Sequence, residues 1–331
     1  MSGLSSIEWT DKTWNPTTGC TRVSPGCKNC YAFQLHDMRH AAHIAGKKVA
    51  PQYAKPFKEL QLFDDRLTDP LGWRKPCRVF VNSMSDLFHK DVPDEFIDRV
   101  FAVMALAPQH TFQVLTKRPE RMAAYLNDYR DSKLGKMRFK DMPDGGVLIA
   151  PLPNVWLGTS VENQAAADER IPHLLKTPAA VRFLSCEPLL GPVDLEKYLR
   201  CPSCKSFYRT QGPSLGCWDC HSAIDWCIVG GESGPGARPC DVAWVRSLVE
   251  QCKVAGVACF VKQMGSEPRE RCDQHACMTW PGWDSGHRFR KGTPMPEING
   301  IPVLLRDKKG GDPSEWPADL RIREFPKAVV K

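Results

Sequence analysis

The sequence predicts an α/β fold: a partial or complete TIM-type (β/α) barrel with an inserted zinc ribbon. Three observations lead there. Short apolar, β-branched runs alternate with amphipathic stretches along most of the chain. Nearly every apolar run is followed by polar residues, as at the catalytic end of such a barrel. One four-cysteine group interrupts the alternation. A doubly wound parallel sheet is the runner-up.

The elements follow in order. A first strand is expected around residues 13–18. Residues 78–82 read as a buried strand, and 94–106 as a helix with Phe96, Ile97, Val100, Phe101 and Met104 at helical spacing after Pro93. Residues 111–115 form the next strand and 119–126 its helix. Strand 154–158 precedes helix 164–175, and strand 181–185 follows. Strand 226–230, helix 242–255 and strand 257–261 complete the series. Such runs are what a parallel sheet covered on both faces requires. The polar stretch 129–153 reads as a surface loop. The expected domains are a barrel over 1–265, broken by an insert at 197–225, and an irregular cap over 266–331.

The chain has 331 residues, 42% hydrophobic and 25% charged, which excludes a disordered or fibrous protein. No apolar run approaches the roughly 20 residues a membrane span needs. Residues 1–9 lack a basic segment followed by an apolar one, so no signal peptide is expected and the location expected is the cytoplasm. A net charge of +7 permits nucleic-acid binding without demanding it. Fifteen cysteines, an odd number, argue for metal sites rather than a disulfide framework. Cys77, Cys186, Cys227, Cys240, Cys252 and Cys259 stand alone and read as small buried hydrophobes.

Three constellations carry chemistry. Cys20, Cys27 and Cys30 share one Gly/Pro-rich loop after the first strand. Three thiolates do not close a tetrahedral zinc site, but they hold a [4Fe–4S] cluster with one iron open. A structural zinc with a distant fourth ligand is the alternative. Cys201, Cys204, Cys217 and Cys220 form two CxxC knuckles twelve residues apart, the signature of a structural zinc ribbon. Cys272 and Cys277, with His275 and His287, are a looser group that reads as an inert irregular tail. The strand ends carry Ser83, Ser85, Lys117, Ser160, Cys186, Glu187 and Glu232. For Glu187 and Glu232 the alternative is a rim ion pair with Arg182 or Arg238. The run 230–236 lacks both the P-loop and the dinucleotide spacing. It reads as a close-approach loop with Glu232 pointing in.

These motifs together carry a resemblance. The cysteine loop with Tyr31, the run 80–89, Leu115-Thr-Lys-Arg-Pro119 and the run 229–239 are similar to an uncharacterised phage-associated protein family over roughly residues 5–265. That family is similar to radical S-adenosylmethionine (SAM) enzymes, whose three-cysteine loop follows the first barrel strand. Here six residues separate the first two cysteines where those enzymes have three, and Asn29 stands where they place an aromatic residue. The order of strand-end residues most resembles the spore photoproduct lyases, which repair thymine dimers. The resemblance implies that Ser83 or Ser85, Lys117 and Ser160 contact SAM. A lysine pairs a carboxylate and hydroxyls hold a ribose or an amino group.

The expected function is therefore a radical SAM lyase or modifying enzyme acting on DNA, RNA or a nucleotide. Its cofactors would be a [4Fe–4S] cluster, SAM and zinc, and its partners would include an electron donor. Glu187, Glu232 and Cys186 are the candidate acids or hydrogen donors. Lys117 is expected to face the cysteine loop, with Ser85 and Ser160 nearby. The rival is a non-enzymatic nucleic-acid-binding protein with two structural zinc sites. A SAM-dependent methyltransferase on a doubly wound sheet is disfavoured, because the chain lacks the pairing of a Gly-rich loop after the first strand with an acidic residue at the end of the second.

Overall fold

The computed structural model describes residues 5–131, 151–200, 206, 223–270 and 301–326. It is a mixed α/β fold with seven strands in one sheet, in chain order. They are β1 (Lys12–Trp14), β2 (Arg78–Val81), β3 (Thr111–Thr116), β4 (Val155–Ser160), β5 (Val181–Cys186), β6 (Trp226–Gly230) and β7 (Ala258–Gln263). Chain order is the (β/α) arrangement of a partial TIM-type barrel. In a doubly wound sheet the first strand would be central, whereas β1 is terminal. By internal contacts the chain divides into two compact units. One holds residues 1–159 with 172–182, and the other holds 160–171 with 183–328.

In the first unit β1, β2, β3 and β4 pair in parallel. Phe112 and Val114 share one face of β3, while Gln113 and Leu115 share the other. α1 (Tyr31–Ile44), α2 (Asp94–Leu106) and α3 (Pro119–Asp131) belong here. α2 forms as its pattern dictates. Pro93 stands extended before it, Asp94 and Glu95 sit in its first turn, and Phe96, Ile97, Val100, Phe101 and Met104 are buried.

The second unit holds β6 between β5 and β7, all parallel. Every residue of β5 and β6 is buried, as expected for strands covered on both faces. α4 (Gln164–Lys176) follows β4, and α5 (Val242–Ala255) follows β6. The side chain of Asp241 caps α5 by accepting from Ala243 N, and Gly256 ends it in the left-handed conformation. Val245, Leu248 and Val249 are buried from α5, each contributing about 1.5–3 kcal/mol. The described part of the expected C-terminal cap packs against this unit. Pro268–Glu270 pairs with Cys240–Asp241 and with Ile301–Pro302, and Val261 N donates to Ile322 O.

One expectation needs correction, and one helix is added. The first strand does not run through 13–18. It stops at Trp14, because Asn15-Pro16 follows and proline has no N–H for the ladder; Thr17–Thr18 pairs instead with Gln61–Leu62. α1 was not foreseen. It buries only Ala32, Phe33 and His36, too few apolar positions to show a period. At the edges of the expected insert, Tyr198, Leu199 and Ile224 are buried. Cys201, Cys204, Cys217 and Cys220 lie outside the described residues, as do His275, His287, Cys272 and Cys277 and most of the loop 129–153. No helix among the described residues is long and apolar enough to cross a membrane.

Candidate functional site

The three-cysteine loop is laced to the carboxyl end of β2. Asn15 Oδ1 accepts from Ser83 Oγ at 3.1 Å and from Met84 N at 2.8 Å. Ser85 Oγ donates to Thr17 O at 3.0 Å, and Asn82 Nδ2 donates to Thr17 Oγ1 at 2.6 Å. Gly19 bridges Ser85 and donates to Met84 O. Only glycine suits position 19: φ is +106°, and a Cβ would stand 2.5 Å from Glu59 O. That is the physical content of the Thr-Thr-Gly-Cys motif. The two serines predicted to touch a cofactor thus also tie the segment that leads into Cys20.

A second set of bonds reaches the loop from β3. Asp86 is 5% exposed and accepts four hydrogen bonds. They come from Thr116 Oγ1 (2.7 Å), Phe88 N (3.0 Å), Lys117 N (3.1 Å) and Arg118 Nη1 (2.8 Å). Arg118 then spans to the loop. Its Nη2 donates to Thr21 O and Thr21 Oγ1, both at 3.0 Å, and its Nη1 lies 3.7 Å from Cys20 Sγ. Thr21 Oγ1 also meets His89 Nε2 at 2.8 Å, while His89 Nδ1 accepts from Asp91 N. The ring is therefore the neutral tautomer that donates from Nε2. Burial foremost, then the Arg118 charge, lowers the His89 pKa below its ordinary value.

Sequence reasoning chose Lys117 and passed over Arg118. Arg118 follows a strand end as Lys117 does, and a buried aspartate at 86 with a hydroxyl at 116 is the signal that marks it. It remained illegible because the pairing spans thirty-two residues of chain.

The cysteines themselves are free thiols. Cys27 is buried, while Cys20 and Cys30 are half-buried and pack on the same small cluster of Ala32, Phe33 and Phe57. Burial foremost, and then the negative charge of Asp86, push the Cys20 thiol up to about 11, against the pull of Arg118. In kind, three thiols on one loop suit an iron–sulfur cluster. Among the described residues, however, no group of three or more Cys, His, Asp or Glu side chains is drawn together as a metal site.

The chain belongs to the DUF5131 family. The match, to a family described as "Protein of unknown function (DUF5131)", covers residues 4–294. No curated protein and no solved structure matches it.

The second unit of this DUF5131 protein holds the other predicted residues. Glu187, just past β5, accepts from Lys262 Nζ at 2.6 Å and Gln263 Nε2 at 2.8 Å. Glu232 accepts from Arg238 N, Nε and Nη2 at 2.6–2.9 Å, the ion pair weighed as the alternative; Arg182 instead donates to Thr177 O. The loop before Glu232 is as tight as expected: a Cβ at Gly231 would stand 2.2 Å from Met264 O. Ser160 is buried, and its carbonyl accepts from Arg170, which pairs the buried Glu162. Cys186 is fully buried with its thiol 3.8 Å from Cys227. Cys227 in turn meets Cys252 of α5, so these thiols line the helix-facing side of the strands.

Proposed function

We propose that this DUF5131 protein is an iron–sulfur enzyme of the radical SAM kind, acting on a nucleic acid or nucleotide. One observation supports it most: the three-cysteine loop is fastened to the carboxyl ends of β2 and β3 through the Gly19–Ser85 bridge and the Asp86–Arg118–Thr21 chain. The carboxyl ends of parallel strands are where (β/α) enzymes do chemistry.

Cys20, Cys27 and Cys30 would hold the cluster. Bound there, it would supply the electron that splits a sulfonium cofactor. The chain's own residues do the rest. Asp86 fixes Arg118, and Arg118 fixes the loop at Thr21. Within the first unit, Lys117, Ser83 and Ser85 are proposed to meet the carboxylate and hydroxyl or amino groups of SAM. Asn82 adds an acceptor. It is buried, and its Oδ1 has no partner among the described residues. A ligand N–H would satisfy it. Glu187, paired with Lys262, and Glu232, paired with Arg238, are the proposed acids of the second unit. Cys186, held against Cys227, serves packing.

The test is anaerobic reconstitution with iron and sulfide. The expected product is brown and holds about four irons per chain on the three-cysteine loop. Cys20→Ser, Cys27→Ser and Cys30→Ser should each remove the iron. With SAM and a reductant, the wild type should release 5′-deoxyadenosine. A colourless protein with about two zinc ions per chain would refute the proposal and establish the non-enzymatic reading instead.

A further inference from the structure

The stretch from Cys20 to Lys58 holds seven Lys and Arg residues against one acidic residue, Asp37. Six of the chain's seven net positive charges therefore fall in this segment. Lys28, Arg39, Lys47, Lys48, Lys55 and Lys58 are all exposed. Among the described residues none of these six forms a side-chain ion pair. Ordinary protein surfaces intersperse the two signs of charge, and this one does not.

The cations ride on a fixed scaffold. Cys20 N donates to Phe57 O at 3.0 Å, and the rings of Phe33 and Phe57 meet edge-on at 4.5 Å. His36 Nε2 bonds Lys55 O and His40 Nδ1 bonds Tyr53 O, so the return stretch after α1 is pinned to the helix. The same segment carries the three cysteines. On α1 an apolar stripe also faces outward: Tyr31, Leu35 and Met38, at spacings of four and three, are 51%, 36% and 58% exposed. The hydroxyl of Tyr31 donates to Ser83 O, which fixes one edge of its ring.

Unpaired cations on the same segment as an exposed aromatic ring match a polyanion that also offers flat faces. We infer that this face of α1 and its return stretch binds the phosphate backbone of a single-stranded nucleic acid, with Tyr31 stacking on a base. The inference rests on the nucleic-acid reading above and adds the surface that delivers the strand to the cysteine loop. An acidic polypeptide would use the cations but not the ring.

The experiment is fluorescence anisotropy of a labelled 20-nucleotide mixed-sequence DNA strand, titrated with the full chain between 50 and 200 mM salt. Each phosphate contact to a single strand adds about 0.7 to the slope of log K against log salt. The variant Lys28→Gln/Arg39→Gln/Lys47→Gln/Lys48→Gln should therefore lose about 2.8 of slope. A control, Arg74→Gln/Lys75→Gln/Lys90→Gln, should keep the wild-type slope. Tyr31→Ala should weaken binding roughly 5-fold or more at fixed salt, with the slope unchanged. No wild-type binding at 50 mM salt would overturn the inference. So would an unchanged slope in the quadruple variant, or polyglutamate displacing the strand at equal charge. The titration needs neither cluster nor turnover. Its failure counts against this surface alone, and a colourless protein that still binds the strand would overturn only the radical chemistry.

Discussion

Asp86 holds the candidate site together, and its removal has a calculable cost. Asp86→Ala deletes the acceptor of four hydrogen bonds and leaves the Arg118 guanidinium, only 14% exposed, without its counter-charge. Breaking a buried pair by removing one partner costs about 3–5 kcal/mol. Arg118 keeps its two bonds to Thr21, so the lower end, about 3 kcal/mol, is expected. Asp86→Asn retains one acceptor oxygen and should cost about 1.5–3 kcal/mol, the worth of a hydrogen bond to a charged group. Adding Arg118→Met to Asp86→Ala removes the stranded charge, so the double variant should be more stable than the sum of the two changes by about 1 kcal/mol or more. Urea unfolding followed by tryptophan fluorescence measures all five proteins, the Arg118→Met single variant included, and Trp9 and Trp14 report from the same unit. Modification of Cys20 by a thiol reagent should quicken in Asp86→Ala, because its loop loses an anchor. A cost below about 1 kcal/mol, or strict additivity in the double variant, would refute the claim that this pair carries the loop.

Two further outcomes follow from the geometry. His89 has a lowered pKa, so the folded protein binds fewer protons than the unfolded chain as pH falls through the ordinary histidine range near 6.5; the stability His89 contributes is complete above that range and is lost below it. His89→Gln should flatten that acid-side loss, and urea midpoints at about pH 5.5 and pH 7.5 would show it; an unchanged difference between them removes His89 from the account. At Gly231 a methyl group would collide with the Met264 carbonyl, so Gly231→Ala should cost about 1–3 kcal/mol or more. Gly72, with open space around it, should accept alanine within about 0.5 kcal/mol, and equal melting temperatures for the two variants would contradict the packing described.

Local information was enough for much of this fold. α2 and α5 run over the residues that their apolar spacing and caps mark, because an amphipathic stripe and an N-cap are properties of neighbouring residues. β6 matches its expected bounds for the same reason, its apolar run being short and sharply ended. The polar strand ends, the need for glycine near 231 and the nearness of Cys20 to a strand end were all legible in the chain.

Tertiary structure decided what depends on residues far apart. α1 shows no period in the sequence because its partners, Phe57 and the return stretch, do most of the covering. Whether Glu232 meets Arg238 or stands free is a choice between two side chains with several possible neighbours, and only the folded loop makes it. Cys186 ends a strand, yet its thiol is spent against Cys227, since strand alternation and the position of α5 determine which face it joins. The step from Lys117 to Arg118 is the same lesson at one residue's distance. The sequence marks both as cations after β3, and only the placement of Asp86, thirty-two residues away from Arg118, selects the one that reaches the cysteine loop.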